Sequence, residues 1–326
     1  MRKDAFAFLR ATFYRWVQIW PEICLDLCSA PTVLAAADLH VENFGTWRDR
    51  EGRLIWGVND FDEAYPLPYT NDLVRLAASA LLAVSENQLA LKAKDICGAI
   101  ISGYMESLKE GGSPFVLEEH HKALRAMAFG SERNPRKFWK KLLSQEKTKV
   151  AIPKAVKKLL AEVMKQIGSD YRLLSRISGL GSLGRLRVVA VGNWVGGQIA
   201  REVKALVPSA CVWATERDGN RILYRSLLER TIRAPDPFLQ VRENWLIRRL
   251  SPHCCRIEMK EIPVTRDEYT LLHAMGWETA NVHLGSRGAA DRIRRDLVRR
   301  RTSWLRDAAE AMSKATRRDW KEWREQ

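Results

Sequence analysis

Three side chains in the first sixty residues have the types and spacing that phosphoryl transfer uses. That reaction asks little covalent chemistry of a protein. One carboxylate orients the attacking group, and oxygen ligands hold Mg²⁺ on the phosphates. In DLHVENFG, Asp38 and Asn43 are separated by four residues, the D-x-x-x-x-N spacing in which the aspartate faces the nucleophile and the asparagine binds metal. Seventeen residues later, VNDFDEA supplies Asp60 followed by Phe61 at the end of an apolar run. Mg²⁺ takes one or two carboxylates plus waters and phosphate oxygens. Asp38 is therefore assigned as catalytic base, with Asn43 and Asp60 as metal ligands. Asp62 and Glu63 stand beside Asp60; either is a candidate second ligand, Asp62 being the one assigned, with a solvated or salt-bridged role as the alternative. His40 is read as shaping the loop by hydrogen bonds rather than as a base. Asp72, in NDLVRLA, is either an N-cap or a buried anchor for the Asp38 loop, the cap being the simpler account.

A second constellation is GLGSLG, where Gly179, Gly181 and Gly184 have the G-x-G-x-x-G spacing and Ser182 lies between them. A Rossmann turn would need a strand before this run and a helix after it. Here the β-patterned RLRVVAVG follows, which is how a glycine-rich loop covers phosphates between two strands. Lys204, twenty residues past Gly184, falls on the following strand as the candidate phosphate-pairing lysine. A carboxylate on the next helix should pair with it, and Glu229 in RSLLERTI is preferred over Glu216.

The elements that must position these residues follow from periodicity. Phe6, Leu9, Phe13, Trp16 and Trp20 recur near one face, predicting an opening helix over residues 6 to 20. TVLAAA and RLIWGVN predict two strands bracketing DLHVENFGTW. DLVRLAASALLAV begins a helical block that continues through residues 90 to 109, 116 to 128 and 134 to 145. Near residue 178 the texture becomes β, with NWVGG as a hairpin turn and WLIRRL as a further strand, and the last sixty residues return to helix. The expected division is a helix-rich region over 1–170 carrying the catalytic and metal loops, a β-rich region over 171–265, and C-terminal helices over 266–326 that pack back on the first.

Composition bounds the rest. At 326 residues, with 46% hydrophobic and 29% charged residues, the chain has ample material for a core of two packed parts. No apolar run is long enough for a membrane helix, and Asp4, Arg10 and Arg15 interrupt the N-terminal segment, so it does not read as a signal peptide and a cytoplasmic location is expected. The six cysteines lack CxxC spacing and read as reduced structural thiols. The net charge of +15 suits a polyanion. A nucleic-acid partner is compatible with it but not favoured, because no recognisable RNA or DNA module accompanies the basic helices.

The runs FAFLR (6–10), DLHVENFG (38–45), NDFDEA (59–64), DLVRLAAS (72–79) and GLGSLG (179–184) resemble the bacterial DUF2252 proteins. The similarity is most specific in NDFDEA and DLVRLAAS and weak after about residue 250. DLHVEN and NDFDEA also look like the catalytic elements of aminoglycoside phosphotransferases and other small-molecule kinases. The resemblance implies an α+β, protein-kinase-like two-lobed fold, with ATP and Mg²⁺ as cofactors. Position 37 is Ala where the family pattern has Gly. The glycine-rich run and Lys204 also follow the catalytic loop, whereas ordinary kinases place them before it; either the order is circularly permuted or one constellation serves another purpose. The expected function is an Mg-ATP-dependent phosphotransferase acting on a small-molecule acceptor. The alternatives are a metal-dependent hydrolase built on Asp38, His40, Asp60 and Asp62, and a nucleotide-binding pseudokinase without turnover.

Overall fold

The computed structural model describes residues 1–86, 89–118, 120–128, 134–145, 151–176, 185–215, 221–254, 256 and 267–326. Among them, twelve α-helices surround three small antiparallel sheets, a mixed α+β architecture. None of the described helices is long and apolar enough to cross a membrane.

The chain opens with α1 (Ala5–Ala11) and α2 (Phe13–Ile23), where periodicity predicted one continuous helix. Thr12 makes the break. Its hydroxyl donates to the Phe8 carbonyl at 2.7 Å, and its backbone leaves the helical region at φ −126° and ψ 46°. Strand β1 (Thr32–Ala35) pairs with β4 (Tyr65–Pro68), while β2 (Phe44–Arg48) and β3 (Leu54–Val58) form a hairpin, Phe44 opposite Val58. The Asp38 loop therefore joins two different sheets, and the Asp60 loop leads from β3 back to β4.

Helices α3 (Tyr69–Ser85) and α4 (Ala93–Glu110) follow. The helical pattern over 116–128 is realised only as α5 (Lys122–Ala128), because β5 (Phe115–Val116) is recruited by β3 as a third strand. Helices α6 (Pro135–Leu143) and α7 (Lys154–Val163) precede the second half of the chain.

There β6 (Tyr171–Ser175), β7 (Arg187–Trp194) and β8 (Gly197–Ala205) make a meander, followed by α8 (Ala210–Ala214), α9 (Tyr224–Arg230), β9 (Gln240–Arg242) and β10 (Trp245–Leu250). The sheet order is β6-β7-β8-β10-β9. Val195 and Gly196, at the centre of NWVGG, both have positive φ, 48° and 81°, as a two-residue type I′ hairpin requires.

Because side chains alternate across a strand, this sheet has two unlike faces. Val188, Ala190, Val203 and Ile247 pack under Val156 and Leu160 of α7 and Met164 just after it. On the other face, Leu174, Val189, Val191, Ala200 and Leu250 pack with Leu142 of α6, and that apolar patch gives way to Glu202 and Lys204.

The C-terminal helices α10 (Glu268–Leu284), α11 (Ala289–Arg299) and α12 (Trp304–Glu325) return to the first half. Helix α10 crosses α4 backbone to backbone. A Cβ on Gly103 would meet the His273 carbonyl oxygen at 1.9 Å, and one on Gly276 the Ile100 carbonyl oxygen at 2.0 Å. The main core draws on the early helices, on Leu206, Cys211, Tyr224 and Leu246 of the sheet region, and on Leu272, Leu305 and Met312 of the closing helices.

Candidate functional site

The Asp38 loop is fixed from beneath by one face of α3. Asp72, fully buried, accepts hydrogen bonds from the Ala36 N–H at 2.8 Å and the Ala37 N–H at 2.9 Å, and meets His283 Nε2 at 3.1 Å. It lies inside α3, whose N-cap position is Pro68, so the N-cap reading of Asp72 is corrected: it is the anchor of the loop. One turn further along α3, Arg75 directs both Nε, at 2.9 Å, and Nη2 at Asp38 Oδ1. Phe13 and Trp16 each lie 4.9 Å from this guanidinium, and Nη2 also donates to the Leu9 carbonyl at 2.9 Å. Ser79 Oγ accepts from the Val41 N–H at 3.0 Å. Asp72, Arg75 and Ser79 stand at i, i+3 and i+7, which puts them on one face of an otherwise apolar helix. That spacing was available in DLVRLAAS and would have found Arg75 and Ser79, which sequence reasoning missed.

Asn43 ties the loop to the next one. Its Nδ2 donates to the backbone carbonyls of Asp38 at 3.3 Å and Asp60 at 3.0 Å, which leaves Oδ1 as the atom for a cation. Asp60 Oδ1 accepts from the Asp62 N–H at 3.2 Å, and Asp60 Oδ2 meets Lys204 Nζ at 3.1 Å. Lys204 also pairs with Asp62 Oδ2, so its ammonium bridges the two carboxylates. Arg185 lies 3.5 Å from both Asp62 and Glu63, and Glu63 Oε2 accepts from the Ala210 N–H at 2.6 Å at the start of α8.

Asp38, His40, Asn43, Asp60, Asp62 and Lys204 thus line one cleft, together with Arg176, Arg187 and Arg248 from the sheet. Burial raises the Asp38 carboxyl to about 6 against the opposing pull of Arg75. Asp62 is also pushed up by burial and by neighbouring Asp60. For Asp60, burial is outweighed by Lys204, which holds the carboxyl below the usual range. His40 is kept neutral by burial and by Arg10, Arg75 and Arg256, and its Nδ1 makes no hydrogen bond, so it does not brace the loop through that nitrogen.

Two expectations do not meet the cleft. Glu229 is 67% exposed on α9 and pairs with Arg225 at 3.7 Å; Lys204 takes Asp60 and Asp62 as its partners instead. Gly179, Gly181, Ser182 and Gly184 lie outside the described residues, as does Glu216. The residues flanking the glycine-rich segment, Arg176 and Arg185, both line the cleft.

Residues 1–173 match the family described as an uncharacterised protein conserved in bacteria, DUF2252. The chain belongs to the DUF2252 family. No curated protein and no solved structure matches it. In this DUF2252 chain the matched stretch holds Asp38, Asn43, Asp60, Asp62, Asp72 and Arg75 and ends within β6. The glycine-rich run, at first included in the resemblance, lies beyond the match, as do Lys204 and the cleft arginines of β7 and β10.

Proposed function

We propose that this cleft binds Mg-ATP and transfers its terminal phosphoryl group to a small-molecule acceptor. The observation that carries the reading is the meeting of Lys204 with Asp60 and Asp62 across 144 residues of sequence, in the cleft that Asp38 and Asn43 also line. In sequence order the glycine-rich run falls between β6 and β7 and the lysine on the third strand, β8, the order in which protein kinases carry their phosphate-covering loop and lysine. In this chain that sheet follows the catalytic loop, which supports a circularly permuted kinase-like order.

The carboxylates suit a cation. Asp60 and Asp62 already converge on one positive charge, and Asp62 Oδ1 is buried without a hydrogen-bond partner. Asp60, Asp62 and the Asn43 Oδ1 would hold Mg²⁺, which supplies charge neutralisation on the transferring phosphates. Lys204 moves from the carboxylate pair to the phosphates when the nucleotide arrives. Asp38 uses Oδ1 on Arg75 and orients the acceptor's hydroxyl, amine or acid group through Oδ2.

Thermal unfolding with and without Mg-ATP tests the reading. Ligand at one hundred times its dissociation constant adds about 2.7 kcal/mol of stability. Asp60→Asn should abolish that gain; an unchanged gain would reject Asp60 as metal ligand. Asp38→Asn should keep nucleotide binding and lower turnover about 10²- to 10⁴-fold.

A second reading, nucleotide binding without turnover, is favoured by the Arg75 grip on Asp38 Oδ1; the absence of any ADP formation across a panel of acceptors would select it.

A further inference from the structure

Glu202 is fully buried on β8, two residues before Lys204 on the same strand face. Its Oε1 accepts from Arg176 Nη1 at 2.9 Å and Arg187 Nη1 at 3.4 Å, and its Oε2 from Arg248 Nε at 2.6 Å. Arg176 and Arg248 both lean on this one carboxylate, so the two guanidiniums together carry more positive charge than Glu202 offsets. Holding like charges together away from bulk water is costly unless an anion shares them. All three arginines line the cleft, and the side chains of Arg176 and Arg248 remain 23% and 17% exposed.

Register sets their relation to Lys204. Arg187 stands directly opposite Lys204 on β7, and Arg248 opposite Glu202 on β10. Arg176 immediately follows β6, its N–H bonding to the Arg187 carbonyl at 3.3 Å. The cations thus form a strip across the sheet that flanks the Glu202 and Lys204 strand on both sides, Arg187 and Arg176 toward β6 and Arg248 on β10. Arg248 approaches Glu202 through Nε, which leaves its terminal Nη pair for the cleft. Guanidinium groups bind phosphate through paired N–H donors, a geometry that a lysine does not offer.

We propose that Arg176, Arg187 and Arg248, splinted by Glu202, form a polyphosphate-binding strip adjoining Lys204, and that the cleft recognises a phosphate chain even without a nucleoside attached. This deepens the nucleotide reading and rests on it only for the identity of the natural ligand. Recognition of this kind is set by the number and spacing of negative charges, so inorganic tripolyphosphate is a sufficient ligand.

The test is isothermal titration of the full chain with inorganic tripolyphosphate, followed by displacement with Mg-ATP. Wild type should bind tripolyphosphate, and Mg-ATP should compete with it. Arg248→Gln and Arg176→Gln should each weaken tripolyphosphate binding tenfold or more, Arg248→Lys should weaken it less, and Arg225→Gln, on α9, should leave it unchanged. Wild-type protein that binds Mg-ATP but not tripolyphosphate overturns the strip and leaves the nucleotide reading standing. Tripolyphosphate binding that depends on Arg248, without any Mg-ATP binding, upholds the strip and removes the nucleotide reading. Tripolyphosphate binding that is indifferent to Arg248 and Arg176 overturns the strip. The wild-type titration decides even if the arginine variants fail to fold.

Discussion

The two walls of the cleft are each organised by one fully buried carboxylate, but the two carboxylates are satisfied differently. Asp72, under the Asp38 loop, accepts two backbone N–H groups and faces His283. Glu202, under the sheet face, is surrounded by Arg176, Arg187 and Arg248, which hold its carboxyl below the usual range despite burial. The first wall has its geometry settled by the fold itself. The second carries charge that an anionic ligand completes. The loop wall is thus pre-organised for orienting groups, whereas the sheet wall gains stability on binding.

Removing each carboxylate breaks the comparison most directly. Asp72→Ala leaves two buried N–H groups without an acceptor, and Glu202→Ala leaves buried guanidiniums without a counter-ion; each should cost about 3–5 kcal/mol in denaturant unfolding. The difference lies in rescue. Tripolyphosphate should raise the melting temperature of Glu202→Ala by more than it raises that of wild type, and Asp72→Ala should show no such extra gain. Equal gains in the two variants would mean that the walls are not organised as described.

A smaller effect separates the walls by pH. Burial raises the Asp38 carboxyl from 3.8 to about 6, so the folded state binds this proton more tightly than the unfolded chain. Its contribution to stability is present in full below about pH 4 and is lost as the pH rises through 6. Glu278, whose Oε1 accepts from the Val58 N–H at 3.2 Å, is raised by burial to about 7 and behaves in the same sense. Glu202 acts oppositely: its lowered carboxyl contributes stability above about pH 4 that is lost on acidification. Between pH 4 and pH 7, Asp38→Asn should therefore gain on wild type by an amount on the order of 3 kcal/mol. A difference between the two proteins that stays constant with pH would show that Asp38 is not raised.

What could be read from the sequence follows the same division. The loop wall is local: Asp38, Asn43, Asp60 and Asp72 lie within 35 positions of one another, and their spacing carries the chemistry. The partner of Lys204 was sought on the next helix, where Glu229 proved to face solvent, because no local pattern reveals that β8 returns to a loop 144 residues earlier. Glu202 and its arginines were overlooked for a related reason. In REVKAL the glutamate looks like any strand residue, and only the pairing of β7 and β10 with β8 gathers the guanidiniums around it. Elements were readable where periodicity was long, as in α3 and α4, and were misjudged where a single contact decided, as at Thr12 and β5.

The finest contrast concerns backbone strain, at one non-glycine residue of each wall that lies in the left-handed region. Ala37, fully buried in the Asp38 loop, has φ 67°, and Val195, 86% exposed at the tip of the β7–β8 hairpin, has φ 48°. Left-handed conformation costs an L-residue roughly 1–2 kcal/mol and is worst for a β-branched side chain. At Ala37 the methyl is also core surface, so Ala37→Gly should trade relief of strain against lost burial and greater unfolded-state entropy, changing stability by less than about 1 kcal/mol. At Val195 nothing opposes relief, because the side chain packs against little and asparagine is preferred before glycine in a type I′ turn. Val195→Asn should therefore stabilise the protein by about 1 kcal/mol in urea unfolding while leaving tripolyphosphate affinity unchanged. A loss of affinity in that variant would couple the hairpin tip to the arginine strip and make the sheet wall less independent of its turn than the β7 and β8 register implies.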